Sequence, residues 1–193
     1  VAVNVSAAQF KSRDLVGAVV DALRESGLPA SRLELEITET VMLQDTDATL
    51  ATLHKLRLLG VQIAMDDFGT GYSSLSYLRR FPFDRIKIDK TFISELGKQD
   101  DSMAIVRAVI ALGRDMGMAI TAEGVETRQQ VDTLERAGCT ELQGYLFSRA
   151  VPEATVIGLL RSMPVIADVW PSSGAQARPR VAEVRELLPA LPG

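Results

Sequence analysis

A chain of 193 residues, 47% hydrophobic and 24% charged, is long enough for one sizeable core and has the composition of an ordinary globular domain. Its formal charge of -4 excludes a basic stripe built to neutralise a long phosphate backbone, so no nucleic acid polymer is expected as partner, whereas a small anion held through metal ions fits. A lone cysteine, Cys139, excludes an intrachain disulfide, and apolar stretches such as Leu15 to Leu23 fall short of the ~20 residues that span a bilayer. The expected compartment is therefore the cytoplasm, with any membrane anchor lying elsewhere in the parent protein.

Apolar runs that read as strands alternate with helical patterns to about residue 160, the grammar of βα units on a parallel sheet. The first strand is expected over Val1 to Val5; because the sequence opens on Val1 inside an apolar run, it is expected to begin within an element. A helix follows with Leu15, Val16, Val19, Val20 and Leu23 on one face, stopped by Gly27 and Pro29. Leu33 to Ile37 reads as the second strand, then a helix through Leu50, Leu53 and Leu56 stops at Gly60. Val61 to Met65 and Arg85 to Ile88 read as strands three and four. A helix carrying Ile105, Val106, Val109, Ile110 and Leu112 runs to Gly117, and Met118 to Thr121 is the fifth strand. Thr127 with Gln130 three residues on forms a capping box that opens a helix to Gly138, and a short strand lies near Glu141 to Leu142. Beyond Leu160 the composition changes: five of the eight prolines fall in the last thirty residues. Residues 1–162 are thus expected to form the domain and 163–193 a tail, with a short amphipathic helix over 181–188.

A carboxylate, amide or ammonium group stands at or just after the end of every strand: Asn4, Glu36, Asp66 and Asp67, Lys87 and Asp89, Glu123, and Gln143. In a parallel β/α barrel all these ends meet on the face where such folds place their chemistry. Carboxylates crowded together either raise one another's pKa or are held ionised by cations. With one histidine, His54, and no cysteine pair, zinc fits poorly and hard ions with oxygen ligands, Mg²⁺ or Mn²⁺, fit well. The adjacent Asp66 and Asp67 can serve two ions if the strand ends there and the second side chain turns inward, as a two-metal phosphoester hydrolase requires. Lys87 is suited to orient a water or offset charge on a phosphate. His54, in a helix rich in Leu and Lys, reads as a surface residue, and Cys139 lacks a base that would make it a nucleophile.

At these residues the sequence resembles the EAL domain of cyclic di-GMP phosphodiesterases, from Val1 to about Pro152. The block from Asp66 to Leu75, Asp-Asp-Phe-Gly-Thr-Gly-Tyr-Ser-Ser-Leu, is the most specific, and Asn4, Glu36, Glu39, Lys87-Ile88-Asp89, Ala122-Glu123-Gly124-Val125-Glu126 and Gln143-Gly144-Tyr145 follow the family's order. The resemblance implies a TIM-like (β/α) barrel, incomplete at its N-terminus, that hydrolyses cyclic di-GMP to linear pGpG with two Mg²⁺ or Mn²⁺ ions. It implies metal ligation by Asn4, Glu36, Asp66, Asp67, Asp89 and Glu123, engagement of the catalytic water by Lys87, and a place beside the metals for Gln143. Glu39 matches the glutamate bracing the loop after Asp67. The family's Glu-Ala-Leu glutamate, a metal ligand, is expected upstream of Val1, so residues 1–193 alone are expected to be slow or inactive. Homodimerisation and an upstream sensory or GGDEF domain are also implied. Ala150 stands where the family has proline, and Thr121 where an apolar residue is usual. The alternative reading is a non-catalytic EAL module that binds cyclic di-GMP or a protein partner; an enolase-type lyase would not account for the Asp66 to Leu75 block.

Overall fold

A computed structural model describes residues 1–11, 14–38, 41, 46–69, 75–97 and 100–162. Six strands alternate with helices: β1 Ala2–Asn4, α1 Ala7–Lys11, α2 Leu15–Ser26, β2 Glu34–Thr38, α3 Thr46–Leu58, β3 Gln62–Phe68, α4 Leu75–Arg80, β4 Arg85–Ile88, α5 Lys90–Ser94, α6 Asp100–Asp115, β5 Ala119–Ala122, α7 Arg128–Ala137, β6 Glu141–Leu142 and α8 Glu153–Ser162. The chain divides into two compact units, Val1–Leu146 and Phe147–Gly193. In the second, α8 starts where Pro152 O accepts from the Thr155 amide at 2.9 Å and its hydroxyl at 2.6 Å. The expected helix over 181–188 lies outside the described residues.

In the first unit the strands lie in sequence order and every neighbouring pair is parallel. Right-handed crossovers that always step to the next strand put the connecting helices on one side, so the sheet curls around its other face. The result is a curled half-barrel, part of a TIM-like (β/α) barrel. Strand alternation divides the two faces. Leu35 and Ile37, Ile63 and Met65, Ile86 and Ile88, and Ile120 and Ala122 are all at most 3% exposed and form the core with the helices. Leu53 and Leu56 of α3, Leu78 of α4, and Val106 and Ile110 of α6 cover them. At Gly113 an added Cβ would sit 2.1 Å from Ile120 Cδ1, so α6 packs closely onto β5 and a larger residue there would force the Ile120 side chain to move.

The helix boundaries have local causes. Asp14 caps α2 by accepting from the Gly17 amide at 3.2 Å, and Gly27 ends it in a left-handed conformation with φ 66°. The capping box read at Thr127 and Gln130 forms, and Gln130 Nε2 also donates to Ile93 O at 2.9 Å, tying α7 to α5. Replacing Thr127 with alanine is expected to cost about 1 kcal/mol, seen as a fall of roughly 2–4 °C in Tm; an unchanged thermal melt would show that α7 does not depend on this cap. The short helices α1, α4 and α5 were not legible as separate elements, because five or six residues carry too little periodicity.

Candidate metal centre

The same alternation that buries Leu35, Ile37, Ile63, Met65, Ile86 and Ile88 turns the intervening residues to the concave face. Register places Asn4 of β1 opposite Glu36 of β2, Glu36 opposite Ala64 of β3, and Thr38 opposite Asp66. On the other side Lys87 of β4 is level with Thr121 of β5, and Thr121 with Glu141 of β6. Glu123 follows β5 with its amide donating to Ile88 O at 3.1 Å, and the Gln143 amide donates to Ala122 O at 2.8 Å. The polar residues thus share one face at the C-terminal ends of the strands.

Lys87 is the hub of that face. Its side chain is 4% exposed, and Nζ lies 2.6 Å from Glu123 Oε1, 2.8 Å from Glu36 Oε1 and 3.0 Å from Asp66 Oδ1. Burial opposes the ammonium charge, but the hydrogen bonds to Glu123 and Glu36 and the nearness of Asp66 outweigh it and hold the group above the ordinary lysine range. An isolated reading of Lys87 would pair it with Asp84 or Asp89. Instead Asp84 accepts from the Ile63 amide at 3.0 Å and pairs with Arg57 at 3.1 Å, on the other face of the sheet.

Asp66 and Asp67 reach the same region through a backbone irregularity. Between β3 and β4 the register runs Met65 opposite Ile86 and then Phe68 opposite Ile88, one extra residue on β3. The strand therefore continues past Met65, and a bulge, rather than the expected strand end, lets two consecutive side chains serve one face. Asp67 sits at φ 54°, the left-handed region. Aspartate tolerates it better than most residues, at a cost of roughly 1–2 kcal/mol. Burial, then the charges of Asp66 and Asp89, raises the Asp67 pKa. Asp89 behaves oppositely: burial alone would raise it, but the Thr91 hydroxyl at 2.5 Å and the Thr91 amide at 2.9 Å donate to its Oδ1 and lower it. Asp89 is also the N-cap of α5, so one carboxylate starts a helix and faces Asp67.

Oxygen atoms of Asp66, Asp67 and Glu123 all lie within 4.8 Å of one another. Asp66 Oδ1 is buried and, although 3.0 Å from Lys87 Nζ, is not aligned with any hydrogen-bond donor. Burial, and then the charges of Asp66 and Glu36 against the pull of Lys87, leaves Glu123 with a raised pKa. An all-oxygen donor set and an excess of anions over the single ammonium fit a hard divalent cation. Asn4, which ends β1, and Gln143, which directly follows β6, are exposed at the margins of this cluster. Glu39 lies outside the described residues, as do residues 70–74 of the Asp66 to Leu75 block.

Of two residues set aside as ordinary, one is at the surface as expected and the other is buried. His54 is exposed on α3, and Cys139 is 4% exposed with its thiol 3.2 Å from Glu141 O. Burial pushes the Cys139 thiol up to about 11. Native protein at pH 8 should therefore react with a disulfide reagent many times more slowly than unfolded protein; equal rates in a timed colour assay would place the thiol at the surface. A second tier of polar residues was missed altogether. Arg85 Nε donates to Glu34 Oε2 at 2.6 Å, and its Nη1 donates to Thr121 Oγ1 at 2.9 Å and pairs with Glu141. The available signal was the spacing Glu34-x-Glu36 and Arg85-x-Lys87, which puts both members on one face of a strand.

A curled parallel β/α sheet with clustered carboxylates and a lysine at its C-terminal edge defines a barrel-type protein with an acidic centre that could hold a metal ion. The family model described as the EAL domain matches residues 1–150, and the chain belongs to that family. MucR of Pseudomonas aeruginosa, a bifunctional diguanylate cyclase/cyclic di-GMP phosphodiesterase, is 50% identical over 152 residues, covering 79% of this chain and 22% of MucR. Its phosphodiesterase solved in complex with c-di-GMP superposes with a TM-score of 0.77 at 49% identity, covering 80% of this chain and 63% of that one. The EAL domain of Mycobacterium smegmatis DcpA gives a TM-score of 0.80 at 44% identity, over 85% of this chain and 74% of that domain. BlrP1 of Klebsiella pneumoniae, solved with manganese and cyclic di-GMP, gives 0.72 at 37% identity, over 77% and 38%. The chain spans about a fifth of the length of the curated relatives it matches. No described helix is long and apolar enough to cross a membrane.

Proposed function

We propose that the chain is the catalytic module of a phosphodiesterase that hydrolyses cyclic di-GMP to linear pGpG with two Mg²⁺ or Mn²⁺ ions. The observation that carries the reading is the convergence of Glu36, Asp66 and Glu123 on Lys87, with Asp67 brought beside them by the bulge. Asn4, Glu36, Asp66, Asp67, Asp89 and Glu123 are the residues that would hold the ions. Bound divalent cations supply Lewis-acid polarisation of a phosphate and a nucleophilic water at neutral pH.

The residues of the chain have complementary tasks. Lys87 has three donors and no acceptor, and burial among β2, β3 and β5 fixes it in place. Turned toward water or a phosphate oxygen, it orients the first and offsets charge developing on the second. Gln143 is assigned a place beside the metals, at the margin opposite Asn4. Glu39 is assigned the bracing of the loop after Asp67. The working unit is proposed as a cytoplasmic homodimer, beside a sensory or GGDEF domain in a longer protein.

Incubating the parent protein with cyclic di-GMP and either Mg²⁺ or Mn²⁺ is expected to yield pGpG, resolved by liquid chromatography. No product with either ion would overturn the enzymatic reading, and binding without turnover in a calorimetric titration would favour a non-catalytic receptor.

A further inference from the structure

Beneath the acidic centre the concave face carries a second layer, which the phosphodiesterase reading leaves unused. Arg85, whose side chain is 15% exposed, binds Glu34 of β2, Thr121 of β5 and Glu141 of β6. Glu34, Arg85 and Glu141 come from alternate strands, the way interior layers of a β/α barrel are filled. Such layers are usually branched apolar side chains; here the layer is an ion-paired one. The pairings also follow the strand tilt. Arg85 is level in register with Ala64, itself level with Glu36, yet it reaches back two residues to Glu34; toward β5 it is level with Ala119 and reaches forward two residues to Thr121. Lys87 repeats both steps in the layer above, back toward Glu36 and forward to Glu123. Ala64, fully buried with a single-carbon side chain, stands between β2 and β4 where a larger group would block both cations.

Each member of the lower layer lies two residues before a member of the upper one: Glu34 and Glu36, Arg85 and Lys87, Thr121 and Glu123, Glu141 and Gln143. We propose that Arg85 is a positioning residue, whose bonds to Glu34, Thr121 and Glu141 hold β2, β5 and β6 at the spacing at which Glu36 and Glu123 bind divalent metal. Thr121, which replaces the apolar residue expected before Ala122-Glu123, is part of this device. The guanidinium also neutralises carboxylates that would otherwise compete for the same cations, confining metal to the strand ends. The inference rests on the metal-centre reading and deepens it.

The test is Mn²⁺ affinity, measured from the electron paramagnetic resonance signal of free Mn²⁺, in Arg85→Met, Arg85→Lys and Thr121→Val forms of the protein. Arg85→Met is expected to bind Mn²⁺ about tenfold more weakly, comparable to losses from removing groups that orient metal ligands, while its far-UV circular dichroism is unchanged. Arg85→Lys should recover part of the loss, and Thr121→Val should show a smaller one. With cyclic di-GMP, kcat should fall more than KM rises. Wild-type Mn²⁺ affinity in a folded Arg85→Met protein would overturn the proposal. If Arg85→Met does not fold, Thr121→Val and Glu141→Gln decide: weakened Mn²⁺ binding in either supports the proposal, and unchanged binding in both overturns it. A wild-type protein that binds Mn²⁺ without hydrolysing cyclic di-GMP would sink the phosphodiesterase reading alone, since the affinity comparison needs no turnover.

Discussion

Asp66→Asn is expected to lower turnover of cyclic di-GMP by roughly 10²- to 10³-fold, the range seen when one preorganised charge-stabilising group is removed, while leaving the fold intact. The substitution is nearly isosteric, so packing around a residue that is 8% exposed changes little. It removes one negative charge from a site where Asp66, Asp67 and Glu123 crowd within 4.8 Å. It also removes the charge from one of the three anionic partners of Lys87. These two effects on stability oppose each other, and relief of repulsion among the remaining carboxylates is expected to leave Tm unchanged or slightly raised without divalent ions. With Mn²⁺ present the order should reverse, because the wild type gains binding energy that the variant lacks. Melting curves with and without Mn²⁺, beside a turnover assay, check both halves; retained turnover would remove Asp66 from the site.

Lys87→Met should be more damaging to the fold. Removing the cation from a buried ion cluster leaves its anions uncompensated, a loss of about 3–5 kcal/mol and roughly 10 °C in Tm. Methionine fills most of the space, so the loss reports charge rather than a cavity. Mn²⁺ should restore part of the stability, since a divalent cation can replace the ammonium as counter-charge, but not turnover, for which Lys87 is proposed as the donor. A melt equal to wild type in divalent-free buffer would show that the ammonium is not the counter-charge. Turnover restored along with stability would assign Lys87 a structural role only.

Much of this was written in alternation. The apolar residues of β2 and β4 sit at every second position with Glu36 and Lys87 between them, so the sheet, its helix-covered face and the facing polar residues could be read together. Helix ends were legible where a specific side chain does the work, as at Thr127 and Gln130, and illegible for α5, whose start depends on Asp89 also accepting from Thr91. The bulge was not legible. Its signal is one residue of register between β3 and β4, a relation between strands that no single strand's periodicity contains. Nor did alternation reveal that Arg85 binds across to β2 and β6, because the reach of a long side chain over a neighbouring strand depends on the small Ala64 in its path and on the tilt of the sheet.

The bulge at Asp66 and Asp67 also bears on how such a protein can lose its chemistry. Deleting one residue there would return β3 to an unbroken ladder against β4, and exchanging Asp67 for glycine would relieve the left-handed backbone at φ 54°. Either change leaves a backbone at least as comfortable as the one it replaces, yet takes away one carboxylate of the pair. Either change is therefore downhill in conformational energy, and two adjacent aspartates at this uncomfortable bend are an arrangement that folding alone does not favour.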